Sequence, residues 1–460
     1  MERSTFTTNS HRFCVPVFVV GLITSIGGYS FFAYSANRSE SVSLIAVYTL
    51  LFAAYLAFIW LSKIPAWVNI LLGVSIGLRA VFIFSEPKLS DDVYRFLWDG
   101  ALSINGINPF YYLPSQIMNG AVPLNFQPNA ELFALMNSPN YHTVYPPICQ
   151  AIFALSALVF PQNIFLGIVM IRLCLFAAEI RSLFLIKALL AANGKPSAWV
   201  LLYALNPLII LELTGNLHFE ALMLMLLLEF LTRWQKGLYN QAAIFMGLAV
   251  ATKLLPLIFL PLLLRRLELK KLTVFYLIVT SVTLVLMLPL LSASFVEGLS
   301  SSIRLYFQTF EFNASVYYIA RAIGYWYIGW NMISFNGKLM AVLTFFAIMI
   351  YALTNSKPGK AFEQNMLFTW FLYLIFALTV HPWYVTPTIL FAALTRFRFP
   401  VVWSYFAFLT YVGYYNGGFN ESLVVVAVEY TVVFAYLIYE LVKSKTGTTQ
   451  SNVVPGASNL

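Results

Sequence analysis

Apolar runs of about 20 residues, the length of helix that crosses the hydrocarbon core of a bilayer, recur along this chain from one end to the other. They lie near 15–34, 42–61, 66–84, 164–186, 271–291, 337–354, 364–380, 399–416 and 421–441. In lipid such a run has to be helical, because only the ladder within the segment then satisfies every backbone N–H and C=O. Shorter apolar pieces near 145–160, 197–213, 216–232, 240–263 and 383–395 read as short, tilted or broken helices that need protein or a lumen around them. Charge content agrees. Only 10% of the 460 residues are charged and 60% are hydrophobic, whereas a soluble domain carries roughly 25% charged residues. The reading is an all-α fold, a polytopic transmembrane helical bundle of about 11–14 membrane helices with a long first external loop. Residues 1–445 read as one membrane-embedded domain, and the polar tail 446–460 is expected to be disordered on the cytoplasmic side.

Net charge is +9, a balance that in a soluble chain would point to nucleic acid. Here Lys and Arg gather in small groups between the apolar runs: Lys63, Lys187 and Lys195, Arg233 and Lys236, Arg265 to Lys271, Lys357 and Lys360, Arg396 and Arg398, Lys443 and Lys445. This positive-inside pattern places those loops and the C-terminus in the cytoplasm and leaves no nucleic-acid footprint. Three spans from the inside lead to an external loop at 85–143. Gly215-Asn216, 292–335, His381–Trp383 and Asn416–Glu421 also fall outside. Crossing parity makes 145–160 a helix that dips into the membrane and 164–186 the true span. The first apolar run is expected to be retained, since no small-x-small cleavage site follows it. Cys14, Cys149 and Cys174 show no paired spacing and read as inert thiols, with neither a disulfide framework nor a metal site.

The first external loop opens Ser90-Asp91-Asp92-Val93-Tyr94-Arg95-Phe96-Leu97-Trp98-Asp99-Gly100 and continues to Asn105-Gly106-Ile107-Asn108-Pro109-Phe110. Helical propensity runs from Asp91 to about Ile104, and Gly106 with Pro109 ends it. Asp92, Arg95 and Asp99 share one face of that helix, with Phe96 and Leu97 turned to lipid or protein. A structural reading is open: Ser90 or Asp91 caps the helix, and Arg95 pairs with Asp99 on a solvated face. A chemical reading is open too, because a carboxylate where the chain leaves the membrane is placed to act as general base on a hydroxyl from the aqueous side.

Asp-Val-Tyr-Arg-Phe-Leu-Trp-Asp-Gly followed by Asn-Gly-Ile-Asn-Pro-Phe resembles the first-loop signature of GT-C-fold integral-membrane glycosyltransferases. These are the polyprenol-phosphate-mannose-dependent mannosyltransferases and their bacterial relatives. The likeness continues in order through Thr143-Val144-Tyr145-Pro146-Pro147, Asn206-Pro207, Gly215-Asn216-Leu217-His218-Phe219-Glu220, Lys253-Leu254-Leu255-Pro256 and His381-Pro382-Trp383-Tyr384. Asp91-Asp92 departs from the strict Asp-x-Asp of some GT-C enzymes. Asp92, which precedes Val-Tyr-Arg, is the favoured acid, with Asp91 second and Asp99 third. The resemblance implies Lys253, His218, Glu220 and His381 as donor or phosphate contacts, and Arg95, Trp98 and Tyr145 as residues that orient the loop; Arg304, by its place in the external stretch 292–335, is a further phosphate contact. It further implies a polyprenyl-phosphate sugar donor, with mannose as the sugar, a glycan or lipid acceptor, and transfer with inversion on the outer face of a bacterial inner membrane. No cofactor is required on this reading; the adjacent carboxylates leave a divalent cation open without demanding one.

Independently of that likeness, Asp92, His218, Glu220 and His381 are scattered in sequence yet fall at one predicted membrane surface, as a site between helices requires. His218 and Glu220 are two apart and share a helical face only if their turn is irregular. A second group of charges, Arg79, Arg172, Glu179, Arg181 and Lys253, lies in or near apolar stretches. Arg172 and Glu179, seven apart, are expected to pair or snorkel, and snorkelling suffices for Arg181. Trp98, Tyr111, Tyr112, Trp383 and Tyr384 are candidates for stacking on sugars, and Arg321 is a further phosphate candidate. Two other classes compete: a lipid or solute transporter or flippase, and a non-catalytic assembly subunit. No two-fold repeat of hydropathy supports the transporter.

Overall fold

A computed structural model describes residues 8–450 except 123, 292–294, 297, 299, 301–309, 360 and 416–417. Arg304 therefore lies outside the described residues, as does Lys360. The first three apolar runs form α1 (Thr8–Ser30), which continues as a π-helical turn (Phe31–Ser35), α2 (Ser41–Leu61) and α3 (Pro65–Ala80). Phe18 of α1 packs on Phe58 of α2 and Trp67 of α3, with ring centroids 6.2 and 4.9 Å away. The external loop is itself largely folded, into α4 (Asp92–Ile104), α5 (Pro114–Met118) and α6 (Ala130–Leu135).

Helix α7 (Pro147–Val159) returns from that loop. Its 13 residues reach ~20 Å at 1.5 Å per residue, too short to span a core of ~30 Å. It lies against α4, with Phe96 and Phe153 stacked at 4.6 Å. Gly100 allows the approach, since a Cβ there would sit 2.3 Å from the Phe153 carbonyl oxygen. Helix α8 (Ile164–Ala192) follows, then α9 (Val200–Ala204) and α10 (Pro207–Ile209), which bend by 51° at Asn206-Pro207. Pro207 has no N–H to carry the ladder through, and the Asn206 side chain accepts from Leu208 N instead.

After α10 the chain runs as a π-helical turn (Ile210–Gly215), then α11 (Glu220–Gln235), α12 (Tyr239–Thr252), a 3-10 stretch (Leu255–Leu263) and α13 (Leu269–Met287). The remainder is α14 (Val316–Ile328), α15 (Ile333–Asn355), α16 (Phe362–Phe376), a 3-10 turn (Pro382–Val385), α17 (Thr386–Leu394) and α18 (Phe399–Phe408). A small antiparallel hairpin, β1 (Tyr414–Tyr415) with β2 (Gly418–Phe419), precedes α19 (Leu423–Gln450). Helix α19 carries on into the segment read from sequence as a disordered tail.

The chain is thus an all-α polytopic bundle, as its apolar runs require. Among the described residues, five helices are individually long and apolar enough to cross a bilayer: Phe13–Ser35, Ser41–Leu61, Leu269–Leu290, Ile333–Asn355 and Leu423–Ser444. They bury only 17–39% of their apolar windows, and the bent pair Ser197–Ala204 with Pro207–Gly215 adds a sixth candidate. The shorter pieces that raised the sequence estimate are mostly interior helices: α9, α10 and α17 are buried along their whole length.

Interior charges find partners that helical periodicity did not reveal. Arg172 does not pair with Glu179. Glu179 instead takes Arg79 Nε and Nη2, both at 3.1 Å, together with the Tyr203 hydroxyl at 2.6 Å. Arg172 donates to the carbonyls of Thr214, Gly215 and Ile83 at 3.1, 3.2 and 3.3 Å, and to that of Ser85. Those carbonyls belong to irregular backbone without a helical ladder, which is why an arginine is stable beside them. Arg181 keeps about half its side chain exposed and also pairs with Glu229 at 2.5 Å. Lys195 reaches the Leu394 carbonyl, Arg265 that of Leu353, and Arg398 those of Ala392 and Thr395. The basic residues therefore gather where α8, α15 and α17 end.

Candidate active site

Asp91 and Asp92 begin α4 with their side chains turned apart. Ser90 Oγ lies 3.4 Å from Asp92 N. Asp91 occupies the cap position without capping; its carboxylate takes Arg38 Nη2 at 2.9 Å. Asp92 Oδ1 accepts from Asn137 Nδ2 at 3.3 Å. Asn137 is delivered by the returning arm of the loop, and Arg95 holds that arm in place. Arg95 Nη1 donates to the carbonyls of Ser138 and Tyr141, at 3.3 and 2.7 Å, while its Nε binds Asp99 at 2.7 Å. The other oxygen of Asp99 accepts from Thr143 Oγ1 at 2.5 Å and Gln150 Nε2 at 3.0 Å.

On the structural reading of the loop, the Arg95–Asp99 pair lies on a solvated face. It is instead buried, at 3% and 0% exposure, because the loop folds back over it. Asp99 lines neither cavity described below; its contacts with Arg95, Thr143 and Gln150 brace the loop. Trp98 is buried too, against Phe133, which removes it from any sugar-stacking surface. Tyr111 and Tyr112 also lie outside both cavities.

Two cavities flank α4. The first, about 350 Å³, is the more polar of the two: Arg38, Asp91, Asp92, Arg95, Asn137 and His381 are among its walls. The second, about 240 Å³, is walled mainly by apolar residues such as Phe96, Phe219, Leu254, Leu255 and Leu378, with His218, Lys253 and Thr379 among its polar groups. Asp92, Val144, Tyr145 and Trp383 line both. Among the described residues, Asp92 is the one carboxylate common to the two.

An irregular turn places the second cavity's polar groups. The π-helical turn ends at Gly215 with Asn216 as its C-cap, and Leu217 adopts φ 64°, a left-handed conformation that is uncommon outside glycine. The turn is held where His218 N donates to the Glu212 carbonyl at 3.2 Å. His218 and Glu220 thereby both point inward, which a regular helix would not allow. Glu220, fully buried, takes Lys253 Nζ at 2.5 Å. Lys253 sits at the residue where α12 stops and the backbone turns extended.

The dividing wall is a stack of rings. Trp383 lies between His218 and His381, with centroids 3.8 and 4.2 Å away. His381 stands outside the spanning helices, at the turn before α17. Burial pushes its imidazole down to about pH 3, and His218 and Lys253 reinforce the shift, so it is neutral at ordinary pH. The strip ahead of it is stitched to the polar cavity: Phe312 N donates to Leu378 O and Val380 N to Phe312 O, at 3.0 and 2.8 Å.

The structure thus brings together Asp91, Asp92, Arg95, Tyr145, His218, Glu220, Lys253 and His381, from segments far apart in sequence. Arg321 is not among them; it pairs with Glu311. Sequence reasoning missed Arg38, Asn137, Tyr411 and Tyr414, all on the polar cavity. The two tyrosines precede an external turn already marked at Asn416, which was the available signal; Asn137 carried none. Among the described residues no group of three His, Cys, Asp or Glu side chains converges as metal ligands would.

Residues 19–267, more than half of the chain, match the family described as alpha-(1->6)-mannopyranosyltransferase, N-terminal domain. Over 177 residues the chain is 24% identical to alpha-(1->6)-mannopyranosyltransferase A of Mycobacterium tuberculosis (strain ATCC 25618 / H37Rv), covering 38% of this chain and 32% of that protein. The chain thus matches about a third of the length of that curated relative. The family match contains α4, the Leu217 turn and Lys253, so it takes in the acid, the irregular turn and the cation of the site just described. The chain belongs to the alpha-(1->6)-mannopyranosyltransferase family, membrane mannosyltransferases of the GT-C type that its loop motifs resembled.

Proposed function

We propose that the protein is a membrane glycosyltransferase that moves mannose from a polyprenyl-phosphate donor to a hydroxyl of a glycan or lipid acceptor. The observation that carries this reading is the position of Asp92 on the shared wall of a polar and an apolar cavity. The apolar cavity suits the first isoprene units of the donor, with Lys253 beside its phosphate. The polar cavity suits the acceptor sugar. Asp92 takes the proton of the acceptor hydroxyl, whose oxygen attacks the anomeric carbon as the bond from that carbon to the phosphate oxygen breaks. The configuration inverts, and polyprenyl phosphate leaves with its charge beside Lys253.

The cavities lie at the opposite end of α11 from Arg233, and Lys195 and Arg265 gather at that distal end of the neighbouring helices. With basic ends inside, the cavities open on the external face of the cell membrane. No metal takes part in this scheme.

The test is transfer from labelled polyprenyl-phosphate mannose by purified protein, with native membrane acceptors, with and without chelator. Transfer by wild type and its loss in Asp92→Asn support the reading; chelator resistance supports the metal-free scheme. No transfer by wild type, with labelled lipid crossing a sealed vesicle, replaces it with a flippase. Full activity of Asp92→Asn removes Asp92 from the role of base.

A further inference from the structure

Helix α14 turns its most apolar surface away from the protein. Ile319, Ile323, Trp326 and Tyr327 are 64%, 50%, 81% and 75% exposed. Their spacing, i, i+4, i+7 and i+8, puts them on one stripe. Trp330, just past the left-handed Gly329 that ends the helix, extends the stripe and is 63% exposed. The opposite side is fastened down. Tyr317 and Gly324 are buried, Tyr317 and Arg321 bind Glu311, and Tyr318 binds Glu421. A helix facing water has the reverse arrangement, with its apolar stripe inward.

Length and neighbourhood identify what covers the stripe. With 13 residues the helix reaches ~20 Å, so it does not cross a core of ~30 Å. It leads directly into α15, one of the five bilayer-length helices, whose Phe335, Val342, Phe346 and Ile350 are 51–61% exposed along its lipid-facing side. Only residues 329–332 separate the two helices, so the stripe lies next to a membrane-spanning element in sequence. The stripe's composition is that of the headgroup level, where the amphipathic rings of Trp and Tyr concentrate. On its inner side, Tyr317 packs with Met340 and Leu378, and Leu378 is a wall of the apolar cavity.

We propose that α14 is an interfacial helix. It lies in the plane of the bilayer surface, its Ile319–Trp330 stripe is sunk into the boundary between headgroups and acyl chains, and it fixes the height at which the apolar cavity meets lipid. The occupant of the stripe is lipid and not a second copy of the chain. This is independent of the transferase reading, because the experiment reads depth and not activity.

Full-length protein, with Cys14, Cys149 and Cys174 replaced by Ala, is reconstituted in phosphatidylcholine–phosphatidylglycerol vesicles and carries a single nitroxide at Ile323→Cys or Tyr327→Cys. Accessibility to oxygen several-fold above that to a water-soluble nickel chelate is expected, with the opposite ratio for a label at loop residue Glu131→Cys. A nickel-accessible label at 323 or 327 overturns the proposal in favour of a water-facing helix. Shielding from both reagents overturns it in favour of a protein contact. A second measurement avoids labels: in vesicles of dibrominated phosphatidylcholine, Trp326→Phe with Trp330→Phe should lose a share of the lipid-quenched tryptophan emission. Unchanged quenching overturns the proposal.

Discussion

Arg38 Nη2 lies 2.9 Å from Asp91 Oδ2, with each side chain about one-third exposed. The pair ties the loop after α1 to the start of α4 and occupies the first of two adjacent acids. Asp92, next along, binds no cation among the described residues and meets both cavities. The two acids are therefore separable by substitution.

Asp92→Asn should lower transfer about 10²–10⁴-fold, the usual contribution of a general base. Asp91→Asn breaks a partly solvated ion pair, typically worth about 0–1 kcal/mol, and should stay close to wild type. Initial rates at saturating donor decide between them, and equal losses would mean that the two carboxylates act together.

Asn137 holds one oxygen of Asp92 and leaves the other for the acceptor proton. Asn137→Asp puts a second negative charge there, which disfavours the ionised base. The acidic limb of the pH–rate profile should move to higher pH. Asn137→Ala should lower kcat without that movement, so the profile separates an electrostatic effect from loosened geometry.

Among the described residues, Lys253 is the cation of the apolar cavity. Lys253→Met should cost about 10²–10³ in kcat, as loss of a preorganised partner for developing charge does, while Lys253→Arg keeps part of the rate. Glu220→Gln leaves the cation in place and should act mainly on stability. Kinetics with donors of different isoprene length check that the loss concerns phosphate and not the tail.

Glu179→Gln leaves Arg79 charged and fully buried beside a neutral amide. Breaking such a pair destabilises by about 3–5 kcal/mol, whereas Arg79→Met with Glu179→Met together costs far less. Thermal unfolding in detergent should rank wild type and the double variant above the single one.

His381 is held neutral down to about pH 3 in the fold, while an unfolded histidine titrates near 6.5. Below about pH 6.5 the unfolded chain binds a proton that the folded one refuses, so stability should fall with pH between those values. His381→Gln should flatten that part of a Tm-against-pH curve.

How much of this was legible depends on the kind of information. Hydrophobic period fixes lengths and faces, so 42–61 became Ser41–Leu61, and Asp91 to Ile104 became Asp92–Ile104. It does not say which faces meet. Arg172 and Glu179 share a helix and a side, yet each is claimed by a different neighbour, α3 for one and unwound backbone for the other. The inward turn of His218 depends on a left-handed leucine, and no propensity would place one there. Asn137 belongs to an irregular arm whose course is set by Arg95, and that carried no local pattern.

The shared wall of Asp92, Tyr145 and Trp383 has a consequence for selectivity on the proposed function. The two reactants come from different solvents and meet across one carboxylate. A water-borne nucleotide sugar would have to desolvate its diphosphate among Phe96, Phe219 and Leu254 to reach the donor's place. Discrimination against it then requires no nucleobase-reading pocket; the phase from which a molecule arrives decides whether it is used.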